Sequence, residues 1–97
     1  MPNADLLSPT QVAHAIGRLK TWQLLEGKLT RRFEFSDFQS AMVFVNEIAD
    51  YAEEVNHHPN ILIFYSTVQL ELISHDVGGV SERDVQFCQQ ISEHYPD

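Results

Sequence analysis

The chain has 97 residues and a formal net charge of −8, with 14 acidic side chains against 6 Lys and Arg. That balance repels phosphate backbones, whose binding needs clustered cations, and Arg31-Arg32 is too short a run to reverse it, so direct nucleic-acid binding is disfavoured. The length suits one compact domain spanning residues 1–97, the hydrophobic fraction of 43% is that of a globular protein, and no apolar run reaches the roughly 20 residues that cross a bilayer.

The opening Met1-Pro2-Asn3-Ala4-Asp5 lacks the basic start and apolar stretch of a secretory signal, which points to the cytoplasm. A single cysteine, Cys88, leaves no partner for an intrachain disulfide and too few thiols for a cysteine-based zinc site. Ser8-Pro9 reads as a cap followed by proline at the first helical position, and Val12, Ala15, Ile16 and Leu19 then recur at helical spacing, which predicts a helix over 9–19. Residues 22–25 and 29–35 flank the turn signal Glu26-Gly27-Lys28 and predict a hairpin, with Phe33 and Phe35 on one face and Arg32 and Glu34 on the other.

Ser36-Asp37 offers the next cap, and Phe38, Ala41, Met42, Val45, Ile48, Ala49, Ala52 and Val55 form the stripe of the longest helix. His58 precedes Pro59 and is pushed out of the helical region, so this helix is expected to end near Asn56. Residues 61–65 and 68–75 predict a second hairpin around Ser66-Thr67, with Val68, Leu70 and Leu72 towards the core and His75 on the opposite face. Ile61 to Phe64 are apolar at every position, and a strand that presents apolar side chains on both faces calls for a cover, such as a second subunit. A glycine-containing loop follows, and Ser81-Glu82-Arg83-Asp84 opens a last helix carrying Val85, Cys88 and Ile91. The order α-β-β-α-β-β-α predicts an α+β fold, a mainly antiparallel four-stranded sheet with helices on one face and the other face free to bind.

Three of the five histidines, His57, His58 and His75, lie at the ends of these elements and are expected to converge. Imidazole is the side chain whose ordinary pKa lets it give and take protons near neutrality, so such a cluster suits acid/base catalysis. Glu53 stands one helical turn before His57, close enough to orient it. Each residue also has a structural explanation: Pro59 stops a helix, Asp84 completes a capping box with Ser81, Tyr65 packs in a sheet, and Glu53 is a solvated helix residue. A histidine metal site is the weaker reading, because adjacent side chains such as His57 and His58 diverge in an extended segment.

Glu53, His57, His58, Pro59, Tyr65, His75 and Asp84, in that order and spacing, resemble the signature of the pterin-4a-carbinolamine dehydratases. The resemblance extends outward to Trp22, the aromatic second strand, the long helix and the segment from Gly79 to Asp84. It implies dehydration of a 4a-hydroxytetrahydropterin to quinonoid dihydropterin, with His57, His58 and His75 as catalytic residues and Glu53, Pro59, Tyr65 and Asp84 at the substrate. It implies no metal or bound cofactor, and assembly as a homodimer or homotetramer. Some animal members also bind a homeodomain transcription factor; nothing in this sequence points to that partner. The competing class is a non-enzymatic interaction module of the same fold, which would keep the sheet and have no need of the histidines.

Overall fold

Helix α1 (Pro9–Arg18) begins where the sequence supplies a complete cap. The Gln11 N–H donates to Ser8 Oγ at 3.2 Å and the Ser8 N–H donates to Gln11 Oε1 at 2.8 Å, so two otherwise unpaired amides of the first turn are satisfied reciprocally. Strands β1 (Gln23–Leu25) and β2 (Lys28–Glu34) pair antiparallel around Glu26 and Gly27, whose φ values of 52° and 78° are both left-handed, as the tightest hairpins require. Helix α2 (Phe38–Val55), strands β3 (Asn60–Phe64) and β4 (Thr67–Leu72), a 3-10 turn (His75–Val77) and helix α3 (Glu82–His94) complete the chain. The four strands form a sheet in the order β1-β2-β4-β3, and the α+β element order is the one predicted. This computed structural model describes residues 6–96, so the Met1-Pro2-Asn3-Ala4-Asp5 segment lies outside the described residues.

The described residues divide into two compact units, one of residues 6–30 with 72–96 and one of residues 31–71. The first is built on α1 and α3. Val12, Ala15, Leu19, Trp22, Leu29, Leu72, Val85, Phe87, Cys88 and Ile91 are buried there, and the indole of Trp22 reaches Ser92 Oγ at 3.0 Å, which satisfies its only polar atom. Cys88 is the small buried hydrophobe its stripe predicted.

The second unit is built on α2. Its N-cap is Asp37, which accepts from the Ser40 N–H at 2.8 Å, and its buried face is Ala41, Phe44, Ile48 and Ala52. Phe44 stacks on Phe33 and Phe35 with ring centroids 4.6 Å and 5.1 Å away, and burying a side chain of that size contributes roughly 2 kcal/mol. The predicted stripe differs at three positions: Phe44 joins it, while Phe38 and Val55 are exposed. The β3–β4 turn also sits one residue earlier than predicted, at Tyr65-Ser66. Val68 and Leu70 of β4 are fully buried, as the alternation required. β3 stands at the sheet edge with Ile63 and Phe64 exposed and Ile61 and Leu62 half-buried, and Tyr65 just beyond it is exposed too, so part of its apolar surface is uncovered on this chain.

Candidate active site

The first unit carries His75 and Asp84; the second carries Glu53, His57, His58, Pro59 and Tyr65. In the second unit the site grows from the end of α2. Asn56 closes the helix in the left-handed region at φ 54°, its N–H returning to Ala52 O, and the His57 N–H donates to the same carbonyl at 3.1 Å. This double closure sets the direction in which the chain leaves the helix. His57 is half-buried, His58 exposed, and Pro59 carries the backbone into β3.

Glu53 engages His58, where helical spacing had pointed to His57: its Oε2 lies 2.5 Å from His58 Nε2, five residues on. The reason is the cap itself, since the left-handed Asn56 breaks the helical path after Val55 and spacing beyond it no longer follows the turn of α2. A carboxylate at Nε2 accepts from a protonated ring nitrogen there and leaves Nδ1 as the nitrogen this pair does not use. Both side chains are solvent-accessible, 53% for His58 and 78% for Glu53, so the pair aims a ring and contributes little to stability.

Tyr65 is 71% exposed at the tip of the β3–β4 hairpin, and its φ of 56° is left-handed. A bulky non-glycine residue held there is strained, and ordinary sheet packing does not account for it, because the ring is in water.

In the first unit, His75 is exposed as predicted, but it does not belong to a strand. β4 ends at Leu72, and His75 opens the 3-10 turn, which closes through the Gly78 N–H to His75 O at 3.2 Å with Gly78 in the left-handed region at φ 76°. The buried alternation of Val68, Leu70 and Leu72 does continue to Ser74, which is 1% exposed, while the ladder has stopped. Strand pairing needs backbone partners that alternation alone cannot report.

Asp84 occupies its capping position, accepting from the Ser81 N–H at 2.9 Å, and is fully buried. Its Oδ2 also accepts from Ser74 Oγ at 2.8 Å, and the two hydroxyls of Ser74 and Ser81 lie 2.7 Å apart. The carboxylate is thus buried among hydroxyl and amide donors of its own chain. The sequence marked Ser81 as the cap of this helix, but no pattern tied Ser74 to it, because bonds between side chains seven and ten residues apart leave no local signal. Among the described residues, no cluster of three or more His, Cys, Asp or Glu side chains could hold a metal ion. No helix of the described residues is long and apolar enough to cross a membrane.

The family model for "Pterin 4 alpha carbinolamine dehydratase" matches residues 5–94. The chain belongs to that family. It is 43% identical over 90 residues, 93% of its length and 96% of the relative's, to a protein of Koribacter versatilis named "Putative pterin-4-alpha-carbinolamine dehydratase". Among solved structures it is similar to a transcriptional coactivator/pterin dehydratase from Brucella melitensis, with a TM-score of 0.85 and 32% identity, covering 92% of this chain and 97% of that one. It is also similar to a pterin dehydratase-like protein identified as a RuBisCO assembly factor in the alpha-carboxysome, with a TM-score of 0.59 and 25% identity over 74% of this chain and 83% of that one. All seven signature positions fall inside the matched span.

Proposed function

We propose that the whole chain acts as one dehydratase domain in the cytoplasm, converting a 4a-hydroxytetrahydropterin to quinonoid dihydropterin and water. The observation that carries the reading is the His57-His58 segment, half-buried then exposed, with its Glu53 carboxylate, at signature positions of a chain that belongs to the family. Loss of the 4a hydroxyl requires a proton on the departing oxygen as the carbon–oxygen bond breaks. A lone pair on the adjacent ring nitrogen forms the new double bond, and the proton on the conjugated nitrogen leaves to a base, so one water is released and no electrons are gained or lost. Imidazoles suit both proton transfers, and each positioned acid or base contributes about 10²- to 10⁴-fold.

In this scheme His57 and His75 move the protons, while His58, with Nε2 engaged by Glu53, binds substrate or shares the chemistry through Nδ1. Pro59 directs the segment and Tyr65 offers a ring against the flat pterin. Asp84 acts through the turn that carries His75 and not by touching the substrate. No metal or bound cofactor takes part. The exposed apolar edge of β3 supports assembly as a homodimer or homotetramer, with the cover supplied by other subunits.

The deciding measurement is turnover of freshly generated 4a-hydroxytetrahydropterin by the wild type and by His57→Ala, His58→Ala and His75→Ala. The expected result is a loss of about a hundredfold or more for His57→Ala and His75→Ala. Near-normal rates in all three would sink the assignment, and a wild-type rate equal to the uncatalysed background would sink the reaction. A second reading, a protein-interaction module, draws on the same uncovered β3 edge and on the assembly-factor role of one structural relative. A reduced-pterin analogue separates the two, because only a pterin site raises the melting temperature as the analogue is added in excess.

A further inference from the structure

The residues on either side of His75 are both tied to the first turn of α3. Ser74 donates its hydroxyl to Asp84 Oδ2 at 2.8 Å and meets Ser81 Oγ at 2.7 Å, in a pocket where all three side chains are at most 1% exposed. The hydrogens are accounted for if Ser81 donates to Ser74 and Ser74 donates to Asp84, while the Ser81 N–H donates to the same carboxylate oxygen. On the other side Asp76 accepts from the Arg83 guanidinium at 2.5 Å, at the surface. The neck of the loop is closed by a pair of backbone hydrogen bonds, Ser74 N–H to Gly79 O at 2.8 Å and Gly79 N–H to Ser74 O at 3.2 Å.

A carboxylate that served only as a helix cap would do so more cheaply in water, where its desolvation costs nothing. Asp84 is instead fully buried, with hydroxyl partners that come from two segments, Ser81 at its own cap and Ser74 on the strand side of the loop. Buried networks of this kind specify geometry more than they add stability. We propose that Ser74, Ser81 and Asp84 beneath the turn, with the Asp76–Arg83 pair outside it, form a positioning clamp that fixes the direction of the His75 imidazole.

The clamp rests on the proposed role of His75 in proton transfer, so its test carries a readout independent of turnover. Ser74→Ala, Arg83→Gln and Arg83→Lys are compared with Val85→Ala, which removes buried volume from the same helix and leaves every hydroxyl, carboxylate and guanidinium of the clamp in place. Ring carbon and nitrogen NMR of His75 reports rotamer averaging and tautomer, and melting temperature and steady-state kinetics are recorded alongside. Arg83→Gln is expected to keep the melting temperature, to loosen the ring and to lower kcat roughly tenfold with KM little changed, because misplacing a catalytic group costs rate more than binding. Arg83→Lys restores most of the order. Ser74→Ala does the same as Arg83→Gln with some loss of stability, whereas Val85→Ala loses stability with ring dynamics and kcat near wild type. Unchanged His75 ring dynamics in both Ser74→Ala and Arg83→Gln would overturn the clamp even in an active enzyme. If the wild type has no dehydratase activity, the reaction falls while the ring measurements still decide the clamp.

Discussion

The two histidine-bearing segments are held by opposite means. His57-His58 leaves α2 through a backbone device, the left-handed Asn56 and two amides returning to Ala52 O, and its side-chain partner Glu53 is in water. The His75 turn is held by side chains, a dry network of two serines and a carboxylate whose Oδ2 accepts from both segments. The first arrangement spreads its determinants over solvated groups that tolerate change; the second concentrates them in one buried charge. Exposed imidazoles result in both, so exposure of a functional side chain says nothing about how dry its support is.

The contrast predicts unequal damage. Asp84→Ala removes the acceptor that serves Ser74 and Ser81 and leaves their hydroxyls buried without it, which is expected to cost about 3 kcal/mol, or about 15 °C in melting temperature. Asp84→Asn, which keeps an acceptor oxygen, should recover about half of that. A loss below about 1 kcal/mol for Asp84→Ala, read by urea unfolding, would erase the distinction between the two supports. Asn56→Ala breaks the backbone device by placing a Cβ without asparagine's local tolerance in the left-handed region, and about 1 kcal/mol is expected. Asn56→Gly, which fits that region freely, should be neutral or slightly stabilising, so the two substitutions bracket how much of the closure depends on conformation alone.

Most elements were legible in the sequence because their punctuation is local. Ser8-Pro9, Asp37 and Ser81 stand directly before apolar stripes, and Glu26-Gly27 sits between β-compatible runs, so caps and turn could be placed without tertiary information. The departures share a different cause. Phe38 and Val55 fit the helical period of α2 but lie at its ends, and Phe44 is buried because Phe33 of β2 and Phe35 just beyond it lie against it. His75 kept its exposure and lost its strand because alternation persists to Ser74 while pairing stops at Leu72. The candidate residues were legible as an ordered set of seven. Their supports were not, since the bonds from Ser74 to Ser81 and Asp84 span seven and ten residues and involve side chains that no periodicity marks.

The smallest expected effect lies at the far end of α2, where Asp37 caps the helix in full contact with water. The Ser40 backbone N–H, and then its hydroxyl, hold the Asp37 carboxyl below the usual aspartate range. A group whose folded-state pKa is depressed stabilises the fold above its unfolded value and loses that contribution as pH falls through the folded one. Asp37→Ala should therefore lower the melting temperature slightly at neutral pH, and the curves of wild type and variant should meet in acid, below the ordinary aspartate pKa. Because the closure at Asn56 depends on backbone bonds at the other end of the helix, the same variant should leave the Glu53–His58 pair and the NMR signature of the His58 ring unchanged at neutral pH. A gap in melting temperature that persists or widens in acid would mean that Asp37 stabilises α2 by something other than its ionised cap. A disturbed His58 ring would mean that the whole helix, and not its C-terminal closure, sets the direction of the histidine segment.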